Sequence, residues 1–381
     1  MSAFPLWRDY ADPAFVAGIR AFARAEIAPA ADEIDRADVY PVEIVRRLGR
    51  AGYNANALPV AYGGAGRSYL TTVALFEEVG AASAAVGVSL ITIFQAQTML
   101  ALFATDSLKE TYLPRFADGL IASYALTELT HGSDIRSLDT KARCEGDTWV
   151  LDGEKSFITS GSAAEFFVIL AETPNGVSAF AVPSDVPGLQ LYEGANSATF
   201  GLRNGPHLNL RLAGVRVPAD HLIGTEGKGV RQAVTTLDYS RTLAAAISAG
   251  IARAAFEAAL TFARDRTAFD QKVLDFQGIQ WYFAEMLTEI DAARLLIYRA
   301  AEALDAHEDI ARYSSEAKLK ASVVATDVAA RAVQICGAYG TMINAPFGRY
   351  LRDAKTYEIG GGSSEILKNT IARCLTRGAF P

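Results

Sequence analysis

Two segments of the chain carry hydroxyls and amides at spacings suited to holding a ligand: Tyr124-Ala-Leu-Thr-Glu-Leu-Thr-His-Gly-Ser-Asp134 and Lys155-Ser-Phe-Ile-Thr-Ser-Gly161. Each reads as a short strand ending in small, hydroxylic or glycine residues. Hydroxyls and free backbone N–H groups at strand ends can be aimed at the edges of a flat, polar, partly anionic ligand. The same Ser and Thr residues could instead satisfy their own strand-end backbone. A second group, Arg266, Phe269 and Gln277, sets a cation, a ring and an amide at a helix end and in the loop after it. A guanidinium there suits a diphosphate through charge-assisted, often bidentate contacts, or else stays solvated beside Asp265 or Asp270. A third, Ile359-Gly-Gly-Gly-Ser-Ser-Glu-Ile366, puts three glycines before a helix start, with Ser363 as N-cap. Backbone N–H groups can approach an oxygen closely there, and a helix N-terminus favours negative charge; the alternative is a turn and cap that binds nothing. Neither this run nor Gly224-Thr-Glu-Gly-Lys-Gly229 is a nucleotide phosphate loop, because the latter has no Ser or Thr after its Lys.

The elements that must position these residues alternate in texture. From about residue 13 to 118 the periodicity is helical: Phe15, Ile19, Phe22 and Ala23 share one face, and Ile44, Val45 and Leu48 another. Pro41 and Gly49-Arg-Ala-Gly52 punctuate helix ends, and residues 54–64 form a loop. A helical pair over 68–80 and 84–103 follows. Between about 120 and 229, short alternating runs such as Thr148-Trp-Val-Leu-Asp, Phe166-Phe-Val-Ile-Leu and Ser178-Ala-Phe-Ala-Val are separated by Gly, Pro and Asn turns, as in a β-sandwich or barrel. Helical patterning then returns over 243–264, 280–304 and 317–334, with a fourth helix opening after Gly362, which reads as a four-helix bundle.

Composition narrows the function classes. A chain of 381 residues can hold two or three domains around a large core. The net charge of −7 argues against a nucleic-acid surface, which needs a basic stripe. Met1-Ser-Ala-Phe-Pro-Leu-Trp7 lacks the charged start and apolar core of a signal peptide. The apolar stretch 79–104 is interrupted by Ser83, Gln95 and Gln97 and reads as a buried helix, not a membrane span. Cys144, Cys336 and Cys374 are far apart and odd in number, and the four histidines are scattered, so neither a disulfide framework nor a metal site is expected. The expected compartment is reducing and cytoplasmic.

Taken in register, the two strand-end segments, Arg266-Thr-Ala-Phe269 with Gln277, Gln334-Ile-Cys-Gly337, and Arg352-Asp-Ala-Lys355 followed by Gly360-Gly-Gly-Ser-Ser-Glu365 resemble the acyl-CoA dehydrogenase family over nearly the whole chain. The resemblance implies a multi-domain α+β fold: an N-terminal helical domain (1–119), a central β-barrel or sandwich domain (120–229) and a C-terminal four-helix bundle (230–381). It implies FAD as cofactor, with Tyr124, Leu126, Thr127, Gly132, Ser133, Phe157 and Thr159 around the flavin and its pyrophosphate. Thr127 would give a hydroxyl and an N–H to the ring, and Phe157 stands where tryptophan is usual. Arg266, Phe269, Gln277, Gln334, Gly337 and Ala338 would hold the adenine and pyrophosphate of a flavin bound mainly by a neighbouring subunit, so a homodimer or homotetramer is implied. Ser363 and Glu365 would complete the cofactor set, while Ser133, Arg241 and Gly361 would meet the substrate, a thioester carbonyl resting on the Gly361 N–H.

α,β-Desaturation of a thioester also needs a base for the α-proton. The resemblance places that base, a glutamate, at the position of Gly361 or, in a minority, of Ser240. Both seats lack a carboxylate here, and general-base catalysis is commonly worth about 10²–10⁴ in rate. Asp238, Tyr239, Glu358 and His131 are substitutes, although Asp238 could pair on the surface with Arg241 or Arg231, Glu358 could face away, and His131 could bond phosphate or pantetheine. Three functions follow from the resemblance. One is an FAD-dependent dehydrogenase of an acyl-CoA or carrier-bound acyl thioester with a non-standard base, passing electrons to an electron-transfer flavoprotein. Another is an oxygen-using oxidase or monooxygenase, or an eliminating enzyme, on the same fold. The third is a low-turnover flavin-binding subunit. The small residues at 240 and 361 would leave room for a branched or cyclic substrate.

Overall fold

The computed structural model describes residues 12–194 and 197–376, so the opening segment read for a signal peptide lies outside the described residues. Helix α1 (Pro13–Phe22) opens on Asp12, whose carboxylate accepts the Phe15 N–H at 3.0 Å, with proline at the first position where no N–H is needed. The helices α2 (Ala31–Ala37), α3 (Val42–Arg50), α4 (Tyr69–Ala82), α5 (Ala84–Phe103) and α6 (Asp106–Tyr112) complete the N-terminal layer. Ser68 and Ser83 cap α4 and α5 through hydroxyls that accept the N–H groups of Thr71 and Val86. That second cap splits the long apolar stretch into two helices. Both α5 and the later α7 (Gly229–Asp265) are long and apolar enough to cross a bilayer, yet most of that surface is buried inside the fold.

The strands are β1 (Ala122–Ala125), β2 (Lys141–Glu145), β3 (Thr148–Ile158), β4 (Phe166–Thr173), β5 (Gly176–Pro183), β6 (Leu189–Tyr192), β7 (Leu208–Pro218) and β8 (Leu222–Ile223). They form one eight-stranded sheet in the order β6-β7-β3-β2-β4-β5-β8, with β1 running parallel to β4. Because side chains alternate along a strand, Phe167 and Ile169 of β4 join Trp149, Phe180 and Leu210 in a core belonging to the sheet. Phe166, Val168 and Leu170 point the other way, into the helical core. Burial on both faces explains why β4 reads as an unbroken apolar run.

The C-terminal layer holds α7, a small hairpin of β9 (Thr267–Ala268) and β10 (Gln271–Lys272), then α8 (Gln277–Asp305), α9 (Ala311–Cys336), α10 (Phe347–Tyr357) and α11 (Ser364–Thr376). Among the described residues this is one helix more than the sequence reading counted. α10 escaped because it is only 11 residues long and Arg349, Arg352 and Lys355 break its apolar pattern, the first two pairing with Asp32 and Asp35 of α2. α4 and α7 touch backbone to backbone at their glycines: a Cβ on Gly80 would lie 2.7 Å from the Ile247 Cα, and one on Gly250 2.4 Å from the Glu77 carbonyl oxygen. Beside that contact Glu77 and Glu78 are held by Arg253 at 3.2 and 3.0 Å, with Arg294 also on Glu77.

α10 docks through Asp353, which is 2% exposed and accepts the Leu202 N–H at 2.7 Å. Burial pushes its carboxyl up from 3.8 to about 6, against the Leu202 N–H and the neighbouring Arg349. Between those pH values the folded chain keeps a proton that the unfolded chain releases, so stability falls as pH rises through the window. Two pH units correspond to about 3 kcal/mol. Asp353→Asn, which keeps an acceptor for Leu202, is expected to flatten the urea midpoint between pH 4 and 7; a slope equal to that of the parent chain would refute this origin.

Candidate functional site

Three groups of side chains build the site, and α5 joins two of them. At the ends of β1 and β3 the two polar segments lie side by side. The Ser156 N–H donates to the Thr127 carbonyl at 2.8 Å and the Ser123 hydroxyl to the Thr159 carbonyl at 2.6 Å. Beneath them Lys155, fully buried, donates to Glu128 at 2.7 Å and to the Leu126 carbonyl at 3.2 Å. Glu128 also accepts the N–H groups of Asp139 at 2.6 Å and Thr140 at 3.0 Å. Burial pulls the Lys155 ammonium below its usual range and Glu128 opposes that. Sequence reasoning passed over this pair, because both charges stand among polar residues, Glu128 beside Thr127 and Lys155 between Glu154 and Ser156.

The anchored backbone presents its unbonded groups outward. The β3–β7 register slips between Lys155 and Ile158. Within that bulge Phe157 sits at φ 58°, 46% exposed. Bulges re-aim a side chain, and a bulky residue at positive φ is strained and marks functional sites. Among the described residues the hydroxyls of Thr127 and Thr159 have no hydrogen-bond partner, Gly132 and Ser133 are exposed, and the buried Tyr124 hydroxyl is unpaired. His131 exchanges backbone hydrogen bonds with Glu128, and its Nε2 stands 3.6 Å from the Asp139 carboxylate. Glu128, His131 and Asp139 are close enough to share a cation, but the Lys155 ammonium on Glu128 opposes one.

The second group is the triple-glycine turn. Arg241 of α7 donates from Nε to the Gly361 carbonyl at 3.3 Å, and Lys318 of α9 donates to the Gly362 carbonyl at 2.7 Å. Gly361 and Gly362 adopt φ 73° and 111°, and a Cβ on Gly361 would meet open space. Arg241 also binds Asp238 at 2.7 Å, and the Ser314 hydroxyl reaches the same carboxylate oxygen at 3.3 Å. The expected surface pairing of Asp238 is thus corrected: the pair is buried, 6% and 5% exposed, because α9 covers that face of α7. Burial raises the Asp238 carboxyl, with Arg241 opposing. Glu358 accepts the Thr326 hydroxyl at 2.7 Å and a Lys355 bond at 3.1 Å, so it faces α9 and not Gly361. Tyr239 packs edge-on against Tyr69. The Ser363 hydroxyl caps α11 loosely, 3.5 Å from the Ile366 N–H, and Glu365 is exposed with its carboxyl lowered by its own N–H and by Ser363.

Ser240 points away from Asp238, since two helical residues are separated by about 200°. It accepts a bond from Gln95 of α5 at 3.1 Å. One turn earlier on α5, Thr92 bonds the Ser160 hydroxyl at 2.9 Å, next to Thr159. A polar stripe on an otherwise apolar helix therefore ties the strand-end group to the helix that carries Arg241. In the sequence Gln95 shows only as an interruption of an apolar run.

The third group stands apart. Arg266 ends α7 with its guanidinium 5.5 Å from the Tyr339 ring, beside Gly337 and Ala338. Phe269 and Asp270, both at positive φ, form the two-residue turn of the β9–β10 hairpin, and the Phe269 ring is 91% exposed. Such turns favour Asn and Gly, so nothing local announced the hairpin. Gln277 and Gln334 are exposed on α8 and α9. Among the described residues no hydrogen bond, ion pair or ring contact joins this group to Thr127, Ser133 or Thr159. An exposed ring in a strained bulge, free strand-end hydroxyls and a separate guanidinium with an exposed ring suit the ring and diphosphate ends of a flavin dinucleotide.

Three family models match the chain in order: acyl-CoA dehydrogenase N-terminal domain over residues 11–120, middle domain over 123–215 and C-terminal domain over 227–376. The chain is 37% identical to the probable acyl-CoA dehydrogenase YngJ of Bacillus subtilis over 367 residues, 94% of this chain and 96% of that protein. It superposes on butyryl-CoA dehydrogenase from Megasphaera elsdenii with a TM-score of 0.93 at 30% identity, covering 99% of this chain and 100% of that one. It is also similar to the prolyl acyl carrier protein oxidase AnaB, with a TM-score of 0.91 at 28% identity over 95% of this chain and 98% of that one.

Proposed function

The chain belongs to the acyl-CoA dehydrogenase family, and from that premise we propose that it desaturates an acyl thioester between Cα and Cβ with FAD as cofactor and without a glutamate at either usual seat of the base. As a member of that family it is an oxidoreductase acting on CH–CH groups. The bound flavin would supply the hydride acceptor. Thr127, Thr159 and the Phe157 ring would orient it, with Ser133 toward the pyrophosphate and Arg266, Phe269, Gln277 and Gln334 reaching the dinucleotide of a second copy. The units would divide at 1–119, 120–229 and 230–381, in a cytoplasmic homodimer or homotetramer.

The observation that supports this most is the glycine turn. Gly361 is exposed and its N–H has no acceptor among the described residues, while the Gly361 and Gly362 carbonyls are drawn inward by Arg241 and Lys318. N–H groups freed at a helix start stabilise negative charge, here the charge that gathers on a thioester oxygen as the α-proton leaves. Asp238 is committed to Arg241 and Ser314, and Glu358 to Thr326 and Lys355, so neither is free to take that proton in this arrangement. Burial pushes the Tyr239 hydroxyl up, away from a base's range, which leaves His131, 23% exposed at its side chain beside Asp139, as the candidate.

Anaerobic titration of the flavin-loaded protein with a panel of acyl-CoA thioesters is expected to bleach the flavin with at least one member and to release an α,β-unsaturated thioester. Bleaching by none would overturn the dehydrogenase reading. The likeness to AnaB favours one alternative, oxidation of a carrier-bound acyl group with oxygen as acceptor; oxygen uptake with a carrier thioester alone would select it over transfer to an electron-transfer flavoprotein.

A further inference from the structure

Two buried cations from different helices grip consecutive carbonyls of the glycine turn, and the second of them has no other role in the site. We propose that Lys318 is a positioning residue for the thioester-binding turn, its ammonium holding the Gly362 carbonyl so that the turn, with the Gly361 N–H in it, keeps one conformation. This rests on the dehydrogenase reading above.

The argument starts from what glycine cannot do. Residues 360–362 have no side chains to anchor them, and two of them adopt positive φ, so the turn left alone would sample many conformers. The Gly360 N–H is tied to the Thr356 carbonyl at 2.9 Å and the Ser364 N–H to the Glu358 carbonyl at 3.2 Å; between them the carbonyls are the handles. In a trans peptide the N–H points opposite to the C=O. Arg241 on the Gly361 carbonyl therefore turns the Gly362 N–H away from the bundle, and Lys318 on the Gly362 carbonyl does the same to the Ser363 N–H. The Lys318 side chain is fully buried and makes its bond at 2.7 Å, the length of a charge-assisted contact.

The grip depends on charge. Facing Lys318 are Arg241 on α7, which is paired with Asp238, Glu358 at the end of α10 and Glu365 on α11. Burial first and Arg241 second pull the ammonium down to about 7, with the two glutamates opposing. Above that pH the amine still has N–H donors but loses its charge, so the turn loosens and a positive charge beside the developing oxyanion disappears.

The test compares the flavin-loaded parent protein with Lys318→Met, Lys318→Arg and, as a control on the same helix, Lys320→Met, whose partner Glu289 lies on α8. Two quantities are read: the anaerobic bleaching rate from pH 6 to 9 with a thioester that bleaches the parent, and hydrogen exchange of residues 359–364 without substrate. In the parent the rate should fall about tenfold between pH 6 and 9, roughly three- to fivefold of it between pH 7 and 8. In Lys318→Met it should be tenfold or more slower and without that alkaline fall, with faster exchange in the turn. Lys318→Arg should recover most of the rate and lack the alkaline fall, because its cation does not titrate there. A folded Lys318→Met protein that keeps the parent's alkaline fall, or whose turn exchanges at the parent rate, would overturn the proposal, as would an equal effect of Lys320→Met. If no thioester bleaches the parent the dehydrogenase reading fails by itself, and the exchange measurement still decides whether Lys318 holds the turn.

Discussion

Ser240→Glu is expected to raise the rate at which straight-chain saturated acyl thioesters bleach the flavin by about 10²–10⁴, the usual worth of a positioned general base. The position is regular helix, so a longer side chain meets no backbone strain, and Gln95 already aims an N–H donor at the Ser240 oxygen from 3.1 Å. That donor would hold the new carboxylate in its charged, proton-accepting form. Overpacking a site only 4% exposed costs about 1–3 kcal/mol, enough to lower the melting temperature without unfolding a chain of this size. Gly361→Glu has open space beside it but starts at φ 73°, where a side chain costs about 1–2 kcal/mol of backbone strain. It should therefore gain less. A Ser240→Glu protein that folds, binds flavin and shows no faster bleaching would sink the idea that the pocket is otherwise complete.

How much of this could be read from the residues alone divides by the range of the interaction. The three-part order of helices, strands and helices follows from periodicity that each segment carries by itself, and α8 is visible as the stripe Met286, Ile290, Ala293 and Ile297. The strand-end polar segments were legible as types and spacings. What the residues did not disclose is pairing at long range. Lys318 looks like one more surface lysine in a helix until α7 and the glycine turn close over it, and Gln95 looks like a flaw in an apolar helix until Ser240, 145 residues away, is set against it. Phe157 and Phe269 are ordinary phenylalanines in sequence, and only the backbone shows both held at positive φ. Asp238 escapes for the same reason: its neighbours along the helix suggest a surface pair, whereas Ser314 arrives from α9.

Arg241→Met is expected to cost about 3–5 kcal/mol of stability, the penalty for stripping one partner from a buried ion pair. Asp238 would then be a buried carboxylate left with the Ser314 hydroxyl alone. With its cation gone the Asp238 carboxyl, already raised by burial, would rise further. The folded chain would then hold a proton that the unfolded chain gives up, so stability would fall as pH rises and the loss should shrink as pH drops toward 4. Adding Asp238→Asn removes the stranded charge while keeping an acceptor for Ser314, and should return most of the stability at pH 7. It should not return turnover, because the Gly361 carbonyl remains untied and Lys318 is then the one cation of the two still holding the turn. Urea unfolding and flavin bleaching measured on the same two proteins separate these effects. Recovery of both stability and bleaching in the double variant would mean that Arg241 serves only to neutralise Asp238, and the tie to Gly361 would lose its claim on the chemistry.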